Sequence, residues 1–279
     1  MPPDCNPQRH RAGTGRAAVR RAAWRAAVIA LIVVAWGTAV PAGDGSALNA
    51  LGFSPDGRFF AFEQYGEQDG SGALYASITA VDVASDRLVK GFPFAASLNP
   101  DETNRTKEPR DKLLAEVRAK SAAEAAPLLQ KLGISTPGRL LAAVRRSRPR
   151  EILDSEPVKT VRAAAITTLT LPRDRFGRGA QLVLKEFDIA LPRCKDLVLE
   201  GYPNGFGLTI ERKGQPTIHL SRDQTIPAAR GCPDRYGLAE LHALNLPDGS
   251  TALAVLIQYF YHAFEGPDRR FLAVTGRVK

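Results

Sequence analysis

The residues best suited to acid–base or metal chemistry are His242, Glu240 and His262. His242 and Glu240 are two residues apart in a β pattern, so both side chains point to one face of a strand. If Pro247-Asp248-Gly249 turns a hairpin, His262 lies on the neighbouring strand. The three side chains could then form a metal site or an acid–base pair. The alternative is two separate histidines, each hydrogen-bonded in or beside the sheet, because the spacing matches no strong metal motif.

Basic side chains form a second candidate site. Arg173, Arg175 and Arg178 fall in one loop, Pro172 to Ala180, between two predicted strands. They could contact an anionic surface or an acidic protein, or they could form a solvated loop. The run from Arg145 to Arg150 allows the same two interpretations.

Other motifs that carry chemistry are weak in this sequence. Gly70-Ser71-Gly72 lies in a loop, whereas a hydrolase serine of the G-x-S-x-G type needs a strand-to-helix elbow. Glu186 and Asp188 share a strand face, as solvated acidic residues commonly do. The sequence contains no phosphate-binding loop, zinc motif or C-x-x-C redox motif, so we expect no cofactor.

The N-terminal segment has the three parts of a secretory signal. Six arginines and one aspartate occupy residues 1–25, and residues 26–40 carry no charge. Val40-Pro41-Ala42 then supplies the small side chains that signal peptidase requires, so we predict that residues 1–42 are a signal peptide cleaved after Ala42. An uncleaved anchor is the alternative, since a span needs about 20 apolar residues and Ala26 to Gly43 provides eighteen.

Cleavage of this segment changes both the charge and the expected compartment. Its loss lowers the net charge of the chain from +9 to +4, a value that favours solubility and says little about nucleic acid. We therefore expect a periplasmic or secreted protein without a nucleic-acid partner. Contact with a membrane is expected only if cleavage fails.

Two cysteines, Cys194 and Cys232, remain after processing because Cys5 lies within the signal. An even number of cysteines in an oxidising compartment predicts a disulfide. Two buried thiols are the alternative.

The remaining chain, residues 43–279, divides into three regions. Residues 43–98 and 151–279 show the short apolar runs and turn residues of antiparallel hairpins, whereas residues 99–150 are rich in helix formers. We predict a single α+β domain, mainly antiparallel β-sheet, with a helical insert between the two β regions and a single disulfide.

Local patterns refine this division. The insert is predicted to form helices over residues 106–120 and 122–132, and a third helix that Thr136 caps with Pro137 at its first position. Aromatic residues in the predicted strand 250–264 alternate across its two faces. They predict one core face and one exposed patch that could contact a partner.

Phe53-Ser54-Pro55-Asp56-Gly57-Arg58, followed by an aromatic strand, resembles the blade motif of the propeller repeats in periplasmic TolB-like proteins. Two later Pro-Asp turns, at Pro247 and Pro267, do not recur at a fixed period, and a propeller needs several blades of about 40 residues. Local chemistry also explains the first turn, because proline at the second position and glycine at the fourth fit a type I turn.

A second resemblance covers most of the chain after the signal. Residues Leu51 to Glu63, Val81-Asp82-Val83 and Phe264 to Phe271 are similar to a bacterial family of predicted secreted proteins that is defined only as a domain of unknown function. The resemblance implies an envelope location. It supplies no functional residues.

We therefore expect an exported envelope protein that acts as a non-catalytic binding module for another envelope protein or cell-envelope component. A periplasmic hydrolase with an unlocated active site is the alternative. A deep pocket joining His242, Glu240 and His262 would favour the enzyme, whereas a flat apolar patch would favour the binding module.

Overall fold

The structure is a computed structural model that describes residues 44–144, 166–195, 204–263 and 267–279. The predicted signal, the basic run 145–150, the predicted strand 196–202 and Phe264 lie outside the described residues. In chain order the elements are β1 (Ala47–Phe53), β2 (Phe59–Glu67), β3 (Leu74–Asp82), β4 (Arg87–Leu88), β5 (Phe94–Leu98), α1 (Arg110–Lys131), β6 (Arg139–Ala143), β7 (Ile166–Thr170), α2 (Arg173–Phe176), β8 (Gln181–Asp188), β9 (Asn204–Glu211), β10 (Ile218–Arg222), β11 (Pro233–Asn245), β12 (Thr251–His262) and β13 (Pro267–Val278).

The first sheet is an antiparallel meander of β1, β2 and β3, and both β4 and β5 pair with β3. The predicted turn between β1 and β2 forms. The Gly57 N–H donates to Ser54 O at 2.8 Å, and the Phe59 N–H donates to Ser54 Oγ at 2.9 Å. Gly57 has a φ of +66°, which glycine adopts without steric cost. Adjacent residues therefore specify this hairpin.

The central sheet has the strand order β13–β12–β11–β6. The predicted hairpin at Pro247-Asp248-Gly249 joins β11 and β12 and places Asn245 opposite Thr251. Residues 251–260 of β12 are all buried, because the sheet is covered on both faces. The predicted exposed aromatic patch is therefore wrong: Tyr259 on one face is 8% exposed, and Phe260 on the other is 0% exposed.

The third sheet has the strand order β10–β9–β8–β7. After β8, the chain makes a 3₁₀ turn, Pro192–Cys194, and the disulfide joins Cys194 to Cys232, just before β11. The two Cα atoms are 5.6 Å apart. The predicted disulfide is thus confirmed, and it ties the third sheet to the central sheet.

The layers stack in the order third sheet, central sheet, first sheet and α1. Leu208 and Val255 belong to the apolar core between the third and central sheets. Phe62 and Leu256 belong to the core between the central and first sheets. Ala125 of α1 packs on the other face of the first sheet. This arrangement confirms the predicted α+β class with mainly antiparallel sheets and a helix between two β regions.

The predicted helices over 106–120 and 122–132 are one continuous helix, α1. The alanine-rich stretch before Pro127 favours helix, and Pro127 lies close to the C-terminal end, where its missing N–H removes only one hydrogen bond. None of the helices within the described ranges is long and apolar enough to span a membrane.

An ion pair fixes α1 on the first sheet. Arg118 donates from Nε and Nη2 to the two carboxylate oxygens of Glu63, both at 2.8 Å. Glu63 is 4% exposed, and the guanidinium carbon of Arg118 lies 3.8 Å from the centre of the Tyr65 ring. The helix therefore packs against the sheet through a charged contact as well as through its apolar face.

The predicted third helix is wrong. Residues 139–143 form β6, which pairs antiparallel with β11. The Phe53 N–H donates to Thr136 O at 2.6 Å, the Thr136 N–H donates to Phe53 O at 2.9 Å, and Gly138 has a φ of +71°. The backbone of Thr136 is thus committed to a bridge with β1, and the left-handed Gly138 prevents a helix from starting there. Tertiary pairing overrides the local capping pattern.

Candidate binding pocket

β13 is an outer strand of the central sheet, and other parts of the fold cap its free edge. Three N–H groups at alternate positions each have an acceptor outside the sheet: Arg269 N–H with Asp44 O at 2.7 Å, Phe271 N–H with Gln64 Oε1 at 3.0 Å, and Thr275 N–H with Asp86 Oδ1 at 2.7 Å. Because antiparallel strands alternate in this way, the N–H of Ala273 points to the same edge. It lies in the gap between the capping side chains of Gln64 and Asp86.

A pocket of about 230 Å³ opens beside Ala273. Phe62, Val81 and Phe271 provide apolar, buried walls. Leu88 also lines the pocket and is 55% exposed. One carboxylate, one guanidinium group and the hydroxyls of Thr79 and Tyr259 form the polar lining. The pocket therefore lies where the edge of the central sheet meets the outer layers.

The carboxylate belongs to Asp86, in the turn between β3 and β4. Its φ of +53° is in the left-handed region, which aspartate and asparagine tolerate better than most residues. Asp86 Oδ1 accepts hydrogen bonds from Thr275 N–H at 2.7 Å and from Thr275 Oγ1 at 3.0 Å. Burial raises the pKa of Asp86 to about 6, although these bonds and the charge of Arg230 act to lower it. Among the described residues, none donates a hydrogen bond to Oδ2.

The guanidinium group belongs to Arg230, at the end of the 3₁₀ turn Ala228–Arg230. Its Nη1 donates to Asp223 Oδ2 at 2.6 Å and to the Tyr236 hydroxyl at 3.1 Å. Its Cζ lies 5.2 Å from the centre of the Phe206 ring. These contacts hold the side chain, which is 15% exposed, in place. Nε and Nη2 donate to no acceptor in the described part of the chain.

The loop that carries Arg230 is anchored on both sides. Arg193 Nη2 donates to Ile226 O at 2.8 Å, and Cys232 is bonded to Cys194. Arg193 and Cys194 belong to the same 3₁₀ turn. The disulfide therefore positions one wall of the pocket in addition to linking two sheets.

The structure brings together two residues of the predicted His–Glu–His site, His242 and Glu240, and separates the third, His262. His242 Nε2 lies 2.9 Å from Glu240 Oε2, and His242 is buried. His242 of β11 is paired with Ala254 of β12. His262 lies in β12, eight residues beyond Ala254, where it is paired with Pro267 of β13. At about 3.3 Å per residue, the separation is roughly 26 Å. Within the described ranges, no group of three His, Cys, Asp or Glu residues is suited to hold a metal ion.

The predicted basic loop lies outside the pocket lining. Arg173 begins α2, and both Arg173 and Arg178 are exposed. The side chain of Arg175 is outside the described residues. Contact of this loop with an anionic surface stays a prediction.

No local pattern in the sequence marks Asp86 or Arg230 as a site residue. Asp86 has the pattern of an ordinary turn, and Arg230 lies in the loop before β11. The lining is assembled from β2, β3, the turn after β3, β4, the loop 227–230, β12 and β13, so no spacing along the chain reveals it. The usable signal is the position of Arg230 two residues before Cys232.

The fold defines a disulfide-bonded, β-rich protein of stacked antiparallel sheets. A family model described as "Predicted secreted protein (DUF2259)" matches residues 61–277. The chain belongs to this family, which confirms the family predicted from the sequence and supports an exported location; the local resemblance to TolB-like propellers is not confirmed. Comparison with curated proteins and with solved structures finds no match.

Proposed function

We propose that this protein is a non-catalytic binding module of the cell envelope, located in the periplasm, and that the pocket beside Ala273 is its binding site. The observation that carries the proposal is the pocket itself. It combines apolar walls with a few fixed polar groups at the open edge of a sheet, as small-ligand sites do. The secreted family and the disulfide support an oxidising, exported location.

The composition of the lining favours binding over hydrolysis. Its side-chain hydroxyls belong to Thr79 and Tyr259, and burial raises the pKa of Tyr259. The buried His242–Glu240 pair would be the acid–base pair of the alternative hydrolase. Neither of these two residues belongs to the lining, so this pocket does not supply that alternative with an acid–base pair.

The test is binding of envelope components to the exported protein, purified from cells that express the full chain. Ala229 lines the pocket on the exposed 3₁₀ turn, and Ala228 is its exposed neighbour outside the lining. Native mass spectrometry after incubation with an envelope extract should reveal a bound species on the wild type and on Ala228→Trp. We expect Ala229→Trp to lose it, because the indole fills the opening.

Two outcomes would contradict the proposal. A species that binds equally to Ala229→Trp would occupy a different site. Conversion of the species to a product during incubation would support the hydrolase instead.

A further inference from the structure

Resting on the proposed function, we propose that the ligand of the pocket is a small zwitterion, a free α-amino acid with an apolar side chain. Its ammonium group pairs with Asp86. Its carboxylate binds Arg230 and the N–H of Ala273, and its side chain packs on the apolar walls.

The size of the pocket and the state of the sheet edge select a small molecule. A volume of about 230 Å³ is below the roughly 300–1,000 Å³ of pockets for drug-sized ligands. An extended peptide adds to a sheet only along a row of free N–H and C=O groups. On β13 the N–H groups of Arg269, Phe271 and Thr275 already have acceptors, so only a short stretch around Ala273 is open.

The polar atoms of the pocket match the two charged ends of an amino acid. Asp86 uses only Oδ1 for Thr275, which leaves Oδ2 to accept a charge-assisted hydrogen bond from an ammonium group. Arg230 uses Nη1 for Asp223 and Tyr236, which leaves Nε and Nη2 as donors for a carboxylate.

The charge of the site favours a ligand that carries an ammonium group. Asp223 Oδ2 accepts from Arg230 Nη1 at 2.6 Å and from the Phe206 N–H at 3.0 Å, so Asp223 offsets the charge of Arg230. Asp86 has no directly bonded cation among the described residues, and an ammonium group supplies one. A carboxylate without an ammonium group would face Asp86 unpaired.

Apart from the hydroxyl groups of Thr79 and Tyr259, the remaining side chains of the lining are apolar. Phe62, Val81 and Phe271 are each less than 5% exposed and form walls with no polar side-chain atoms. Leu88 is a large apolar residue left 55% exposed beside them. A branched aliphatic side chain bound against these walls covers Leu88 from water and buries apolar area on both partners.

Three probes that share one branched alkyl skeleton test the assignment. Leucine carries both charges, 3-methylbutylamine only the ammonium, and 4-methylpentanoate only the carboxylate. Calorimetry at pH 7.5 on the protein purified from the exported fraction should show that leucine binds at least tenfold more tightly than 3-methylbutylamine or 4-methylpentanoate. Each of these two compounds lacks one charged group of leucine and therefore loses the charge-assisted hydrogen bonds of that group.

Variants assign the charged ends. Asp86→Asn should weaken leucine binding at least tenfold and should not weaken 4-methylpentanoate binding, because the variant removes the negative charge that repels a carboxylate. Asp82→Asn makes the same change at the end of β3, outside the lining, and it should leave leucine binding intact.

The outcomes separate this inference from the proposed function. Equal affinity for leucine and 3-methylbutylamine would refute the role of Arg230, and equal leucine binding by Asp86→Asn would refute that of Asp86. If none of the three probes binds, but a species from the extract binds the wild type and not Ala229→Trp, the amino-acid ligand is refuted and the binding site stands. If neither the probes nor any species from the extract binds, both proposals fail.

Discussion

A single carboxylate, that of Asp86, serves both the sheet edge and the pocket. Its Oδ1 takes the place of a strand carbonyl toward Thr275, and its Oδ2 accepts no hydrogen bond from the described residues. The charged side chains that line the pocket with it are limited to Arg230, and the third titratable group of the lining is Tyr259. The pKa of Arg230 and the pKa of Tyr259 are both raised, so neither group titrates near pH 6. Asp86 is therefore the lining residue that responds to mild acid.

We expect Asp86→Asn to stabilise the protein at neutral pH and to change its stability little at pH 4. The pKa of Asp86 rises from 3.8 to about 6 on folding. The stability linked to this residue is therefore complete below about pH 3.8 and is lost as the pH rises through about 6. The shift corresponds to at most about 3 kcal/mol, and we expect about 1–2 kcal/mol because the side chain is partly exposed.

Urea unfolding between pH 4 and pH 8 measures this effect. Asparagine retains an oxygen for the Thr275 N–H and accepts the left-handed backbone, so it is the matched change. Asp82→Asn is the control of opposite sign. Although burial acts to raise the pKa of Asp82, hydrogen bonds from Ser85 and Arg58 lower it overall. Parallel pH profiles of the wild type and Asp86→Asn would contradict the assigned pKa.

The loop 223–232 is the structural element on which the pocket depends. Its regular secondary structure is a single 3₁₀ turn, and its position is fixed by the disulfide, the Arg193 side chain and the buried Ile226. The disulfide is the covalent anchor among these contacts, so we expect its loss to loosen the loop.

Replacing both cysteines, Cys194→Ala with Cys232→Ala, should lower the free energy of unfolding by about 3–4 kcal/mol. The bond spans 38 residues, and closing a loop of that length restricts the unfolded chain by about this amount. At temperatures where the variant is still folded, leucine affinity should also fall at least tenfold, because Arg230 is two residues from Cys232. Chemical denaturation and calorimetry measure the two effects.

The reduced wild-type protein should behave like the double variant in both measurements. A loss of stability below about 1 kcal/mol would mean that other contacts already fix the loop. Unchanged ligand affinity in the folded double variant would mean that the disulfide does not position Arg230.

Elements that depend on neighbouring residues could be predicted from the sequence, and those that depend on distant pairing could not. The turns at Ser54–Gly57 and Leu246–Gly249 follow from their own residues, and both form with the expected i to i+3 hydrogen bond. The segment after Thr136 carries a sound helix cap, yet it becomes β6 because β1 and β11 offer it backbone partners. The pocket belongs to the second kind, since its lining comes from β2, the β3–β4 hairpin, the loop 227–230, β12 and β13.

At the scale of the whole molecule, the largest difference between the sequence prediction and the structure is the burial of the central sheet. An alternating pattern was expected to leave one face of the strand 250–264 exposed, but β12 lies between two sheets. Its run Thr251 to Phe260 is nearly continuous in apolar residues, which is typical of a strand covered on both faces. The signal for a buried central strand was therefore present, and what the sequence could not supply is which sheets cover it.

The beginning of the described chain is also fixed to the whole fold. The Asp44 N–H donates to Asp268 Oδ1 at 2.8 Å, and the Asp44 carboxylate binds the Tyr75 hydroxyl at 2.7 Å and the Arg270 guanidinium. Asp44 is 2% exposed, and Arg270 also stacks over the Tyr75 ring at 4.7 Å. This buried residue lies two positions after the predicted cleavage site, so we expect cleavage to leave Asp44 on the mature protein.

We predict that the exported protein begins at or close to Gly43. Signal peptidase requires a small residue before the cut, so Ala42→Arg should block cleavage, whereas Ala42→Ser should be processed like the wild type. N-terminal sequencing and intact mass of the soluble and membrane fractions measure the outcome. The wild type and Ala42→Ser should be soluble and retain Asp44, and Ala42→Arg should remain in the membrane fraction at the precursor mass.

Wild-type protein that keeps residues 1–25 in the membrane fraction would instead establish the uncleaved anchor. A mature form that begins after Asp44 would mean that the Asp44–Arg270 pair is dispensable for the exported fold.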